Sequence, residues 1–222
     1  MPNYNIKITD GRRDDVIERI TNMKNNGKFT VVDVGGSMVG WSANHIDALI
    51  DFNDFPQNIE TRIKHFKCDI THPDSWDSIL KYVKDNGKFD FCICTHTLED
   101  VMNPVYVSEQ ISKIANEGYI AFPSKHRELS RFEFGYKLGI YCYRGYIHHR
   151  WIFDIKDNVC IGYPKINYID FVHIFDKVAD MDKNKSDLSF YWKDSIDMIY
   201  INNNFLGPNV EAVISYYNNL LV

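Results

Sequence analysis

The chain has 222 residues, enough for one domain of ordinary to large size and too few for two complete ones to fit easily. At 45% hydrophobic and 25% charged residues it is not a disordered chain, a collagen or a coiled coil, and 14% aromatic content predicts a large core with an aromatic-lined pocket or interface. A formal charge of −5 withholds the basic field that nucleic-acid binding requires, so no nucleic-acid partner is expected.

In chain order, residues 10–26 read as a helix: Asp10 can cap it, and Val16, Ile17, Ile20 and Met23 fall at helical spacing. Residues 28–34 form an apolar, β-branched run that stops at Gly35-Gly36-Ser37, a buried strand followed by a glycine turn. Residues 45–51 and 63–69 repeat the pattern, each ending on an acid, Asp51 and Asp69. Pro73 opens a helix over 73–86, residues 89–94 are a fourth strand, 104–116 a helix and 117–123 a fifth strand. After 125 the character changes. Residues 141–153 are aromatic and strand-like, Asp157-Asn158 turns the chain into a hairpin partner at 159–163, residues 189–192 and 196–201 read as another strand pair, and 209–221 as a closing helix.

Short apolar strands alternating with helices make βαβ units. The expected class is α/β, a Rossmann-like doubly wound, mostly parallel sheet. One domain spans 1–222, with a core over about 10–125 and a β-rich extension and cap over 126–222. In such sheets ligands bind beyond the carboxyl ends of the strands, near the point where strand order reverses.

The five cysteines, Cys68, Cys92, Cys94, Cys142 and Cys160, are odd in number and irregular in spacing, which argues against a disulfide scaffold. Cys92-Ile93-Cys94 lies in an apolar run and reads as strand core. No run approaches the roughly 18 apolar residues of a membrane span, and the first residues lack an apolar signal region. A reduced, cytoplasmic setting is expected.

Three acids in register make the site. Asp33 lies beside the glycine turn, Asp51 at the next strand end can accept both hydroxyl hydrogens of a ribose, and Asp69 at the third can reach an adenine amine. With these residues the sequence resembles the class I S-adenosylmethionine-dependent methyltransferases. Asp33-Val34-Gly35-Gly36-Ser37 is similar to their glycine-rich loop. Residues 89–101, with Thr95-His96-Thr97-Leu98-Glu99-Asp100 followed by Asn103-Pro104, are similar to their fourth strand and loop, and 117–124 to the fifth strand. The resemblance covers residues 29–124.

It implies S-adenosylmethionine as cofactor. Asp33 would orient the methionine amino group, and Gly35, Gly36 and Ser37 would form the loop. Asp51 would hold the ribose and Asp69 the adenine, while Thr95 and His96 would line the pocket beside the sulfonium. Two departures stand out. The loop reads GGSxxG, ending at Gly40, where GxGxG is usual, and Asp100 stands where histidine is common. They leave open a catalytically inactive fold that serves as a binding or partner subunit. A nicotinamide cofactor is disfavoured because no GxGxxG occurs.

In the second half, Tyr146-Ile147-His148-His149-Arg150-Trp151 carries the densest chemistry. Read as a strand, Tyr146, His148 and Arg150 share one face and Ile147, His149 and Trp151 the core face. His149 is then a buried histidine. His148, with His96, is the candidate catalytic residue, a base for the acceptor. Arg150, Tyr146, Lys125 and Arg127 are candidate substrate ligands for an anionic or ring-bearing acceptor. A metal would need His96, Glu99, Asp100 and the histidine pair to converge. Adjacent histidines on a strand diverge, so no metal is assigned. The expected reaction is methyl transfer to a small-molecule acceptor, a sugar or nucleotide sugar of glycan biosynthesis, and the chain is compatible with a homodimer.

Overall fold

The computed structural model describes residues 4–54, 62–131, 143–178, 182–201 and 210–221. The apolar runs of the first half become strands: β2 (Val31–Val34), β3 (Ala48–Asp51), β4 (Lys64–Lys67), β5 (Phe89–Thr95) and β6 (Ala115–Pro123). These five are mutually parallel, and with β1 (Asn5–Thr9) and β9 (Asp187–Lys193) they form a seven-stranded sheet in the order β1-β9-β6-β5-β2-β3-β4. Strand order reverses between β2 and β5, which creates a crevice at their carboxyl ends. The sheet is therefore mixed and mostly parallel, with β9 antiparallel to both of its neighbours.

Helices cover both faces. Helix α1 (Asp14–Asn25) buries Val16 and Ile20 against Val31, Leu49, Phe91 and Ile93. Helices α2 (Asp77–Asn86) and α3 (Pro104–Ile114) bury Ile79, Val107 and Ile111 in the opposite layer with Val32, Ile50 and Cys92. Helix α1 starts later than its periodicity suggests. Arg13 occupies the cap position with no side-chain cap, and Asp14 and Asp15 face the positive end of the helix dipole instead. Helix α3 is capped by Asn103, which accepts from the Tyr106 amide at 3.0 Å, and Pro104 fills the first turn.

The second half departs from the sequence reading in two places. Tyr141 and Cys142 lie outside the described residues, as does residue 209. Residues 146–150 form a loop, and the strand β7 begins only at Trp151 (Trp151–Lys156). Strand β7 pairs with β8 (Val159–Pro164) across the Asp157-Asn158 turn, where both residues take positive φ. Finally, 189–192 and 196–201 do not pair with each other. Strand β9 enters the central sheet, because Leu188, Phe190 and Trp192 belong to one core layer while Tyr191 packs against the other. Strand β10 (Met198–Tyr200) joins β8 in parallel, making a second, three-stranded sheet. The chain closes with α4 (Lys125–Leu129), a set of 3-10 turns over 167–178 and helix α5 (Val210–Asn219).

Candidate functional site

Where β2 ends, Gly35 adopts a φ of +78°, and a Cβ there would fall on the Thr97 hydroxyl. A Cβ on Gly36 would fall on the Asp33 carboxylate. The two glycines let the turn close over Asp33 from one side and approach the β5 loop on the other. Beneath them Asp33 is buried; Ser42 Oγ donates to its Oδ2, while Oδ1 has no partner. Burial lifts the Asp33 pKa to about 7 against the opposing Ser42 hydrogen bond, and the charge of Asp51 adds to the rise.

Above this turn lies a cleft of ≈ 260 Å³ at the carboxyl ends of β2 to β5. Its polar lining is Gly35, Asp51, Asp69, His96, Thr97 and Asp100, and Phe52 and Ile70 form part of an apolar wall. Asp51 accepts from the Phe52 amide at 2.7 Å through Oδ1. Asp69 accepts from Thr71 N (3.0 Å) and Oγ1 (2.6 Å), both on Oδ1, and these bonds hold its pKa below the usual carboxylate value. Both acids are thus locally oriented, with acceptor capacity left over. Asp33, Gly36, Ser37 and Thr95, four of the residues picked out in the sequence, are not among the lining residues. Thr97, two residues beyond Thr95, takes the lining place.

His96 joins the cleft at a φ of +52°. Its Nε2 lies 2.9 Å from Asp187 Oδ2 and its Nδ1 3.4 Å from Glu99 Oε1, while Arg13 binds the same Asp187 carboxylate. Burial works against the charged ring, but the Asp187 hydrogen bond and the Glu99 carboxylate outweigh it and hold the His96 pKa up at about 9. Arg13 Nη2 also stands 3.1 Å from the same Nε2. His96 lines the cleft, where the resemblance places it. Arg13 and Asp187 sit far apart in sequence and carry no local motif. Only the pairing of β1 with β9 brings them to the β5 loop.

On the far side of Asp100 lies the loop 146–150. It is tied to the β5 loop by three bonds: Arg150 N to Glu99 O (2.7 Å), Arg150 Nε to Asp100 O (2.9 Å) and Trp151 Nε1 to Val101 O (2.7 Å). Because this segment is not a strand, His148 and His149 do not diverge. The Nε2 of each faces Asp100 Oδ1, at 3.9 and 3.8 Å. His149 is buried and its Nδ1 lies 2.6 Å from Glu128 Oε1, whose other oxygen takes Lys165 Nζ at 2.5 Å.

The basic residues expected to hold an acceptor are engaged within the fold. Lys125 pairs with Asp154 at 2.9 Å. Arg150 donates from Nε to the Asp100 carbonyl and is exposed. Arg127 donates to the Tyr146 hydroxyl, with its guanidinium 5.0 Å from the centre of that ring. Tyr146 in turn packs on His149, ring centres 4.5 Å apart.

No family model matches the sequence, and no curated protein matches it. Solved structures do show a likeness. One is the MycE methyltransferase from the mycinamycin biosynthetic pathway, in complex with Mg, SAH and mycinamycin VI: 13% identity over 91% of this chain and 51% of that chain, TM-score 0.37. The chain spans about half the length of that enzyme. A second is an S-adenosylmethionine-dependent methyltransferase from Mesorhizobium loti, at 10% identity over 83% of this chain and 99% of that one, TM-score 0.42. A third is the plantazolicin methyltransferase BamL with a desmethyl analogue and SAH, at 10% identity over 79% and 81% of the two chains, TM-score 0.42. These neighbours are methyltransferases. Two of the three hold SAH, the demethylated form of S-adenosylmethionine. At such scores the site rests on its own strand order and lining. Among the described residues no helix is long and apolar enough to cross a membrane.

Proposed function

We propose that the cleft binds S-adenosylmethionine and that the protein transfers its methyl group to a small acceptor, a sugar or nucleotide sugar. The observation that carries the reading is the convergence of Gly35, Asp51, Asp69 and the His96-Thr97 turn, from four successive parallel strands, on one cleft beside the strand-order reversal. The residues fit the group. Asp51 offers two acceptor oxygens for a ribose diol, and Asp69 keeps Oδ2 for an adenine amine. The Gly35 backbone allows close approach, and the unpartnered Asp33 Oδ1 behind the turn offers an acceptor toward an ammonium. When bound, S-adenosylmethionine supplies an electrophilic methyl carried on a sulfonium.

The chain's own residues then position and deprotonate the acceptor. His96, bonded to Asp187, orients groups at the cleft lining. Acid–base help falls to the rim, where Asp100, His148 and His149 face one another. The segment 126–222 acts as the acceptor-side extension of a single domain, its loop 146–150 fastened to the β5 loop. The sugar acceptor draws support from the aromatic and histidine content of that rim.

Calorimetric titration with S-adenosylhomocysteine tests the reading. Micromolar binding by the wild type, lost by at least tenfold in Asp51→Ala, is the expected result. A folded wild type that binds none would replace the enzyme with a partner-binding fold.

A further inference from the structure

We infer that Asp100, His148 and His149 form a divalent transition-metal site on the rim of the cleft. One ligand atom from each lies within 4.8 Å of the others. The two imidazole Nε2 atoms stand 3.9 and 3.8 Å from Asp100 Oδ1, too far for hydrogen bonds. Two ligands each about 2.1 Å from one ion stand roughly 3–4 Å apart, depending on the angle between them. The three groups thus point at a gap that an ion spans and a proton does not.

The surroundings of His149 are a second, independent observation. Its Nδ1 is engaged by Glu128, and the tautomer that donates from Nδ1 carries its lone pair on Nε2, the nitrogen that faces Asp100. A buried carboxylate behind a histidine is the arrangement that orients metal-binding imidazoles and raises their basicity. Here Lys165 fixes that carboxylate in turn, and Tyr146 packs on the ring. The hydrogen bonds from the Arg150 amide and the Arg150 and Trp151 side chains to the carbonyls of 99–101 fix the distance between the two ligand-bearing segments. Only His148 and Asp100 have freedom, with side chains 63% and 43% exposed, and small rotations of these close the remaining gap.

Two imidazoles and one carboxylate suit zinc or ferrous iron and do not suit magnesium or calcium, which take oxygen ligands. An ion held by three protein atoms keeps open positions. Asp100 also lines the cleft, so the ion sits where an acceptor arrives. An acceptor hydroxyl bound to it loses its proton to solvent more readily. This use of the ion rests on the methyl-transfer reading; the ion site itself does not.

The test is calorimetry of the chelator-stripped chain with Zn²⁺ and Co²⁺, with visible absorption of the Co²⁺ form recorded in parallel. One ion per chain at micromolar affinity is expected, with ligand-field bands and no thiolate charge-transfer band. His148→Ala and Asp100→Ala are each expected to weaken binding at least tenfold, and Glu128→Gln roughly 10–100-fold. His148 is exposed, so its variant is expected to keep the wild-type circular dichroism and to bind S-adenosylhomocysteine as before. Failure of the folded wild type to bind an ion overturns the site. So does undiminished binding in both ligand variants, or a cobalt–thiolate band. Ion binding without S-adenosylhomocysteine binding leaves the site standing and removes the cofactor reading.

Discussion

Gly35 is the position where one added methyl group does the most damage. A positive φ costs a residue with a Cβ about 1–2 kcal/mol, and here the Cβ also meets Thr97. Gly35→Ala is expected to lower the thermal midpoint and to abolish S-adenosylhomocysteine binding, read by calorimetry on the folded variant. Asp33 below it makes a pH prediction. Its folded pKa, about 7, exceeds the ordinary carboxylate value, so the folded chain holds this proton more tightly than the unfolded one. The stability involved is whole below about pH 4 and is lost as pH rises through 7, on the order of 4 kcal/mol for a fully buried group. Urea unfolding at pH 5 and pH 8 should show wild type less stable at pH 8 by a margin that shrinks in Asp33→Asn. An unchanged margin would assign the effect elsewhere. At this scale much was legible: a glycine after a β-branched run, and acids at strand ends, declare themselves locally. Thr97, Arg13 and Asp187 do not, because each acquires its place only from a contact distant in sequence.

Among the elements, β9 carries a linkage of its own. Asp187 is held near pKa 2: burial opposes its charge, but the bonds from His96 and Arg13 prevail. Its contribution is present above about pH 4 and lost as pH falls through 2. That of His96 is present below about pH 6.5 and lost as pH rises through 9. The network is fully engaged between those limits. Proton NMR of the His96 ring should place its midpoint near 9 and, in Asp187→Asn, well below that value.

The 3-10 turns over 167–178 depend on Arg144. It is fully buried and donates to the carbonyls of Leu129, Ile169, Val172 and Phe175 and to Asp176. Arg144→Ala strands four carbonyls and the buried face of that segment, and is expected to cost about 3–5 kcal/mol in urea unfolding. The elements misread from sequence share one cause. Residues 146–150 have strand-like composition, yet the His149 ring is drawn to Glu128 and the Arg150 amide to Glu99, so no ladder forms. Strand β1 was missed because Asn5-Ile6-Lys7-Ile8-Thr9 is a short, exposed edge whose partner lies at the other end of the chain.

For the molecule as a whole, strand and helix alternation was enough to foresee a parallel sheet with its crevice, since each βαβ unit is local. The second half was not legible in the same way, because its strands distribute themselves between two sheets. Strand β9 joins the halves broadly by pairing with β6 and β1, whereas the loop 146–150 is tied to the first half by the three bonds from Arg150 and Trp151 to residues 99–101. Trp151→Phe removes the one to the Val101 carbonyl and leaves a buried acceptor unpaired, at a cost of about 1–3 kcal/mol. If that bond holds the rim, the same variant weakens Co²⁺ binding while leaving S-adenosylhomocysteine binding intact.

The outermost place of β1 has a consequence in time. Ser186 and Thr9, which touch in the finished sheet, are 177 positions apart. At about 5–20 residues per second a ribosome needs roughly 9–36 s to make that span. Through that interval Ile6 and Ile8 lie on a strand with no partner edge, able to pair with any other nascent chain. Crowded polysomes are therefore where this protein is most exposed to mispairing, and slowing translation after residue 9 would lengthen the hazard without altering the native fold.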